Sequence, residues 1–422
     1  MHDFKYRGGR LFCEDVPLER IARQFGTPLY VYSHATLMGH YQRLDSAFES
    51  VPHLICYSVK SNSNIAICRA LARAGAGFDV VSGGELARVL RAGADPRRIV
   101  FAGAGKTEEE ISRALEEGIL FLTVESLGEL NAIERIAKRL GKIASVALRL
   151  KPDVNPHTHR YITTGRAENK FGLDLEQARA AYEKAMGMKH VIPVAVQMHI
   201  GSQITETGPY VRAIRKVRPL VQQLQGMGAP LRFFDIGGGL GIVYRGETPA
   251  TAKKFAAAVL PEIRGLGLHC ILEPGRFIAG NAGVLLTRVL YFKRGTVKNF
   301  IIVDAGMNDL IRPSLYGAYH EILPLRRSRR RNVVADIVGP VCESGDFLGK
   351  DRKIPEPRPG DILAVMGAGA YGFSMSSNYN SRPRAAEALV RGRDCALIRE
   401  REHCRDLMRG ERIPQFLRRG VK

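Results

Sequence analysis

Between about residues 54 and 276 one unit recurs eight times: a short apolar or β-branched run that ends in small or polar residues, followed by a segment with helical periodicity. The runs are LICYSVK, GFDVV, IVFAGA, FLTV, SVALRL, VAVQMHI, RFFDI and CILE. Eight consecutive strand–helix units predict an α/β chain built on a TIM (β/α)8 barrel rather than an open doubly wound sheet. The intervening helices carry local signals of their own. Thr107 with Glu110 and Ser126 with Glu129 have the spacing of a capping box. Leu130, Ile133, Ala137 and Leu140 then trace one apolar face that closes at Gly141. Such a barrel places its chemistry at the C-terminal ends of the strands, and the unusual residues stand there: Lys60 after the first run, Ser82–Gly83–Gly84 after the second, His199 after the sixth, Gly237–Gly238–Gly239 after the seventh and Glu273 after the eighth.

Past residue 280 the pattern changes. Runs such as GVLLTRVLYF, FIIVDAG, VVADIVG and DILAVMG are separated by Gly, Pro and Asn turns with little helical periodicity, which predicts a second, mainly β, barrel-like domain. A chain of 422 residues also exceeds the roughly 250–300 at which a single core stops growing. The expected division is a barrel over 34–279, with 1–33 and 280–422 forming the β domain.

Several function classes are excluded or disfavoured. No apolar run approaches the ~20 residues of a membrane helix, and MHDFKYRGGR has no apolar leader core. The seven cysteines include no CxxC pair, so neither a disulfide framework nor a zinc site is expected; a reducing, cytoplasmic setting fits. The net charge of +21 favours polyanions. It is spread along the chain, however, and no nucleic-acid-binding motif accompanies it. Its two concentrations, Arg326–Arg331 and a tail with Arg405, Arg409, Arg412, Arg418, Arg419 and Lys422, read as a solvated loop and a solvated helix.

The strand-end residues carry chemistry in combination. A lysine at a barrel mouth such as Lys60 can form a Schiff base if partial desolvation lowers its pKa, though a lysine at a strand end is more often merely solvated. In Asp235–Gly241 the glycines let backbone N–H groups converge on a phosphate, at a loop where TIM barrels commonly bind one; a tight turn would call for glycines too. In Glu273–Pro274–Gly275–Arg276 a carboxylate can hold a proton on a pyridine nitrogen, and the guanidinium can take a carboxylate or phosphate in a bidentate pair. Together these supply each contact that pyridoxal 5'-phosphate requires. His199 has no ligand partner at metal spacing and better suits stacking on a cofactor ring. Cys342, in GPVCESGD, carries a thiol that can donate a proton. The other six cysteines read as small packing side chains.

CYSVKSN, DVVSGGEL, HIGSQI, DIGGGLG, EPGR, DAGMNDLIRPSLYGAYH, GPVCESGDFL and GAYGFSMSSNYNSRPR occur in this order between about residues 20 and 402. This set resembles the diaminopimelate decarboxylase family, within the alanine-racemase-like (fold-type III) pyridoxal-phosphate enzymes. The resemblance implies decarboxylation of meso-2,6-diaminopimelate to L-lysine, the last step of bacterial lysine synthesis. It implies that Lys60 carries the cofactor, His199 stacks on its ring, and Gly237, Gly238, Gly239, Glu273, Gly275 and Arg276 hold its phosphate and ring nitrogen. Tyr371 would contact cofactor and substrate, Arg276, Arg312, Tyr316 and Glu343 would bind the distal amino-acid end, and Cys342 would be the proton donor. It also implies a homodimer in which Cys342 and Glu343 reach the neighbouring subunit's site. Alanine racemases of the same group place an arginine at the ring nitrogen, so Glu273 argues for decarboxylation over racemisation.

Three other readings remain to be separated from this one. The nearest is a decarboxylase of ornithine, arginine, lysine or carboxynorspermidine; ornithine-type enzymes have no distal carboxylate for Arg312 to bind. A non-catalytic cofactor-binding homologue would be expected to have lost Lys60 or Cys342. A basic nucleic-acid-binding protein would show salt-dependent retention on DNA.

Overall fold

The computed structural model describes residues 2–155 and 171–418. Eight parallel strands close a barrel: His53–Ser58, Gly77–Val80, Ile99–Phe101, Phe121–Val124, Ala144–Lys151, Val191–Met198, Phe233–Asp235 and His269–Leu272. They follow chain order around the ring, and the eighth pairs with the first. Each of the eight runs picked out by periodicity lies on one of these strands.

Inward-facing residues along a strand recur every second position, and the barrel interior separates along its axis accordingly. Its floor is apolar, with Cys56, Val100, Phe121, Ala147, Ala195 and Ile271 in one buried cluster against which Phe233 packs. Two residues further along the same strands the inward positions turn polar: Ser58, Thr123, Arg149, Gln197, Asp235 and Glu273, with Asp79 two residues beyond Gly77. All seven are buried. The sequence thus builds a dry floor under a polar mouth.

The helix caps differ in detail. Thr107 and Glu110 form the reciprocal box as read. At Ser126 only half of it exists: Ser126 accepts from the Glu129 N–H, but the Glu129 carboxylate turns to the Glu125 N–H at 2.7 Å and to the buried Lys106 ammonium at 2.7 Å. The buried cation outcompetes the cap for that carboxylate.

The second unit is a twisted, mainly antiparallel sheet organised on the long strand Gly283–Lys293. The first half of that strand pairs with Leu29–Ser33 and Ile362–Val365, and its far half with Asn299–Val303. Leu29–Ser33 is buried throughout and lies between Gly283–Lys293 and Ala386–Arg391, so a strand from the chain start completes a sheet built from its end. Phe347–Pro355, nine residues long, pairs with Asn332–Val338 at one edge. Arg326, Arg327, Arg329 and Arg331 are exposed, as are Arg405, Arg409, Arg412 and Arg418. The tail is mostly irregular, with one short helix at Cys404–Leu407, and Arg419 and Lys422 lie outside the described residues. Among the described residues no helix is long and apolar enough to cross a membrane.

Candidate active site

Lys60 sits in a single 3-10 turn, Val59–Ser61, directly after the first barrel strand. The polar residues around it hold that turn. Ser61 Oγ donates to the Ser58 carbonyl at 2.8 Å, and Asn62 Nδ2 to the Gly369 carbonyl of the β domain at 3.2 Å. Asn64 Nδ2 reaches the buried Glu387 at 2.9 Å. The Tyr371 N–H donates to the Ser61 carbonyl at 2.8 Å. The site is therefore built where the two units meet.

Lys60 Nζ lies 2.9 Å from Asp79 Oδ2, and Ser58 Oγ donates to that same oxygen. Burial alone would lower the Lys60 pKa, as expected from sequence, but the Asp79 and Glu273 carboxylates outweigh it and hold the pKa raised. The protein's own groups thus keep Lys60 as an ammonium. That reverses the desolvation argument.

Glu273 accepts from Gln197 Nε2 at 3.3 Å, and the buried Asp235 carboxyl stands beside it. Burial, with Asp79 beside it, pushes Glu273 up to about 7, and burial pushes Asp235 well above the carboxylate range. Five buried side-chain atoms in this layer have no partner among the described residues: the acceptors Asp79 Oδ1, Gln197 Oε1, Asp235 Oδ2 and Glu273 Oε1, and the Thr123 hydroxyl. Glu85, at the start of the helix Gly83–Arg91, accepts from the Val81 N–H at 2.9 Å and is pushed by burial up to about 7. Arg149 pairs with Glu125 at 3.0 Å over the ring of Phe171.

The Gly237 N–H donates to Asp235 Oδ1 at 2.8 Å, and the Gly238 N–H to His199 Nδ1 at 3.2 Å. That bond makes Nδ1 the acceptor. Burial, then Arg149 and Lys60, keeps the imidazole neutral. The glycines are needed for close approach as well: a Cβ on Gly238 would stand 2.0 Å from the Glu273 carbonyl, and one on Gly239 2.2 Å from the Gly201 carbonyl. Among the described residues no backbone acceptor takes the N–H of Gly239, Gly275 or Arg276.

Arg276 and Arg312 line the next part of the mouth, each only 5% exposed and neither with a carboxylate partner among the described residues. Arg276 donates to Ser202 Oγ at 3.0 Å and to the Tyr244 hydroxyl at 2.7 Å, and lies over the Tyr371 ring. Arg312 lies 5.2 Å from the Tyr244 ring centre and 5.9 Å from that of Tyr316. Arg312 Nε donates to His320 Nε2 at 3.3 Å, while His320 Nδ1 faces the Met366 carbonyl at 2.8 Å. One tautomer, with the proton on Nδ1, satisfies both contacts.

Cys342 and Glu343 are not part of this cluster within the chain. Both are exposed on the β domain. The Cys342 N–H donates to Asn380 Oδ1 at 3.0 Å, and Glu343 accepts from the Tyr379 hydroxyl at 2.7 Å.

A family model for the pyridoxal-binding domain of pyridoxal-dependent decarboxylases matches residues 34–280. The chain is similar to the diaminopimelate decarboxylase of Pseudomonas aeruginosa, at 49% identity over 98% of this chain and 99% of that one. The chain belongs to the diaminopimelate decarboxylase family. It is likewise similar to the Aquifex aeolicus diaminopimelate decarboxylase, at 50% identity over 94% of this chain and 95% of the relative. Among solved structures, that of the family member from M. jannaschii in co-complex with L-lysine superposes with a TM-score of 0.94 at 39% identity, covering 99% of this chain and 100% of that one.

The mouth fits the cofactor of this family. Its buried acceptors outnumber its donors, and a ring N–H would answer that shortage beside Glu273. The unpaired N–H groups at the glycine loop and at Gly275–Arg276 suit a phosphate, and Lys60 is the amine within reach of the same carboxylates. Sequence reasoning missed Asp79, Gln197, Asp235 and Arg149 as site residues, as well as Glu85, Ser202, Tyr244 and His320. Strand parity was the signal for the first four, because each stands two residues beyond an inward apolar or glycine position.

His320 gives a pH-dependent test. Burial, with Arg312 beside it, lowers its pKa to about 3. An unfolded histidine titrates near 6.5, so the unfolded chain takes up a proton that the folded chain refuses, and this contribution to stability is lost as pH falls from about 6.5 towards 3. Between about pH 7.5 and pH 5, urea unfolding should cost the wild type about 2 kcal/mol more stability than His320→Gln, which keeps an acceptor for Arg312 but does not titrate. Parallel losses in both proteins would show that His320 is not held neutral.

Proposed function

We infer that the chain decarboxylates meso-2,6-diaminopimelate to L-lysine and CO2 with pyridoxal 5'-phosphate. The observation that carries this reading is the pair of buried guanidiniums, Arg276 and Arg312, without carboxylate partners and beside the Lys60–Asp79–Glu273 cluster. A buried cation without a counter-charge is costly, and a substrate carboxylate supplies one. The substrate carries an amino acid at each end. One end must lie at Lys60 and the other must be read by charged groups.

The bound cofactor supplies an electron sink for the pair of electrons left at Cα when CO2 departs. Lys60 would hold the cofactor, and Asp79, 2.9 Å from its Nζ, orients that side chain. Glu273 would keep a proton on the ring nitrogen, with Gln197 holding its carboxylate. His199, neutral, can lie against the ring without adding a cation. Tyr371, Arg276 and Arg312, with Tyr316 against Arg312, enclose the distal end and take its carboxylate. Glu343 takes the distal ammonium, and the Cys342 thiol, or Lys60, returns a proton to Cα.

Cys342 and Glu343 are exposed in the single chain, which supports a homodimer in which each subunit lends these two residues to the other's site. The division into a barrel at 34–279 and a β domain from 1–33 and 280–422 belongs to the same proposal, as does a cytoplasmic setting. The test is CO2 release by cofactor-loaded protein from meso-diaminopimelate, with L-ornithine, L-arginine and L-lysine in parallel. Turnover of diaminopimelate alone is expected. Turnover of ornithine instead would overturn the account of the distal pocket, and silence on all four with cofactor bound would favour a non-catalytic role.

Two substitutions probe separate parts of the mouth. Arg312→Ala removes a charge-assisted contact made to the distal end and should lower kcat/KM for diaminopimelate by about 10- to 100-fold, leaving any residual ornithine rate unchanged. Glu273→Gln should lower kcat by about 100-fold or more while cofactor stays bound, because the amide cannot stabilise a ring-nitrogen proton. An unaltered kcat would exclude that role.

A further inference from the structure

Away from the barrel mouth, a cavity of about 380 Å³ opens between the first helix (Leu18–Phe25), the loop following Ile322–Pro324 and the start of the strand Ile362–Val365. It shares no lining residue with the active site. Five arginines line it, Arg23, Arg288, Arg326, Arg327 and Arg330, against two carboxylates, Glu19 and Asp361. Both carboxylates are already engaged. Glu19 holds Arg326 at 3.1 Å and Arg10 at 2.8 Å, and Asp361 holds Arg330 at 2.7 Å. Among the described residues Arg23, Arg288 and Arg327 have no ion-pair partner. Arg330 Nη1 is buried with no hydrogen-bond partner. Ser328 Oγ accepts from Arg330 N at 3.0 Å and Nε at 2.8 Å, so its hydroxyl hydrogen remains to be donated.

The loop is held in place rather than draped over the surface. Leu325 N–H donates to the Ile362 carbonyl at 3.0 Å, Leu11 N–H to the Leu325 carbonyl at 2.8 Å and Arg327 N–H to the Gly9 carbonyl at 2.7 Å. The Arg327 guanidinium lies 4.5 Å from the Tyr6 ring centre. Fixing like charges around one half-open space works against stability unless an anion fills it.

We propose that this cavity binds a short phosphoanhydride chain, free or carried by a nucleotide. Five cations less two anions leave three positive charges around it, and a diphosphate carries about three negative charges at neutral pH. Guanidinium forks match pairs of phosphate oxygens. The volume is that of a small-molecule site, too confined for a duplex.

The test is calorimetric titration of inorganic pyrophosphate into the cofactor-saturated, desalted protein at about physiological salt, where the active-site phosphate position is filled. One site per chain is expected. Arg23→Ala with Arg327→Ala should weaken it about tenfold or more and leave diaminopimelate turnover unchanged; neither residue holds an ion pair, so folding is retained. ADP displacing pyrophosphate would make a nucleotide the carrier, and no displacement would make it the free chain. No heat at millimolar pyrophosphate, or heat unchanged in the double variant, would overturn the proposal. So would a DNA duplex that competes with pyrophosphate and loses affinity through the same two substitutions, because the face would then be a polyelectrolyte surface.

Discussion

Lys60→Ala is expected to abolish CO2 release from diaminopimelate, a loss of about 10³-fold or more in kcat/KM, because it removes the amine on which covalent catalysis depends. It should also abolish covalent retention of cofactor, read as the mass added after borohydride reduction. The substitution has a structural side. Asp79 is fully buried, and Lys60 is its ion-pair partner at 2.9 Å, so alanine leaves that carboxylate with only the Ser58 hydroxyl as donor. A lower melting temperature would therefore accompany the lost activity and could be mistaken for its cause. Lys60→Arg separates the two. It keeps a cation beside Asp79, so its melting temperature should stay near that of the wild type, yet it cannot carry the cofactor and should be as inactive as alanine. A Lys60→Arg protein retaining a tenth of the wild-type rate would remove Lys60 from the mechanism.

The barrel was legible because its signal is local and repeated. Each strand is a short apolar run, most of the helices start at a side-chain cap, and eight units in series leave little choice of architecture. The β domain was less legible at its edges. Phe347–Pro355 reads FLGKDRKIP, with no alternation to mark it, because its pairing with Asn332–Val338 supplies the order that its own sequence does not. The role of Leu29–Ser33 is set by strands more than 250 residues away, a relation that no local pattern encodes.

The site divides along the same line. Lys60, the glycine loop and Glu273 stand at strand ends next to turn chemistry, where composition changes abruptly. Asp79, Gln197 and Asp235 lie inside strands, and only strand parity marks them. The sign of the Lys60 shift could not be read at all, because it depends on two carboxylates that the closed ring brings beside it from the second and eighth strands. The capping box at Ser126 is half-formed for a related reason: Lys106, distant in sequence from Glu129, claims its carboxylate.

Mixing inactive Lys60→Ala subunits with inactive Cys342→Ala subunits should restore activity. If each site takes Lys60 from one chain and Cys342 from the other, a heterodimer contains one site with both residues and one with neither. Random exchange makes half of the dimers mixed, so the recovered rate should approach about a quarter of that of the wild type. Cys342 and Glu343 are exposed, the Cys342 N–H bonded to Asn380 and the Glu343 carboxylate to the Tyr379 hydroxyl, so neither side chain is enclosed within its own chain. Cys342→Ala alone should keep its cofactor, since the residue belongs to no cofactor contact within the chain, while turnover falls. A mixture that stayed inactive after verified subunit exchange would mean that Cys342 acts within its own chain. Recovery near a quarter would assign it to the neighbour's site, and would make dimer dissociation a direct route to loss of activity.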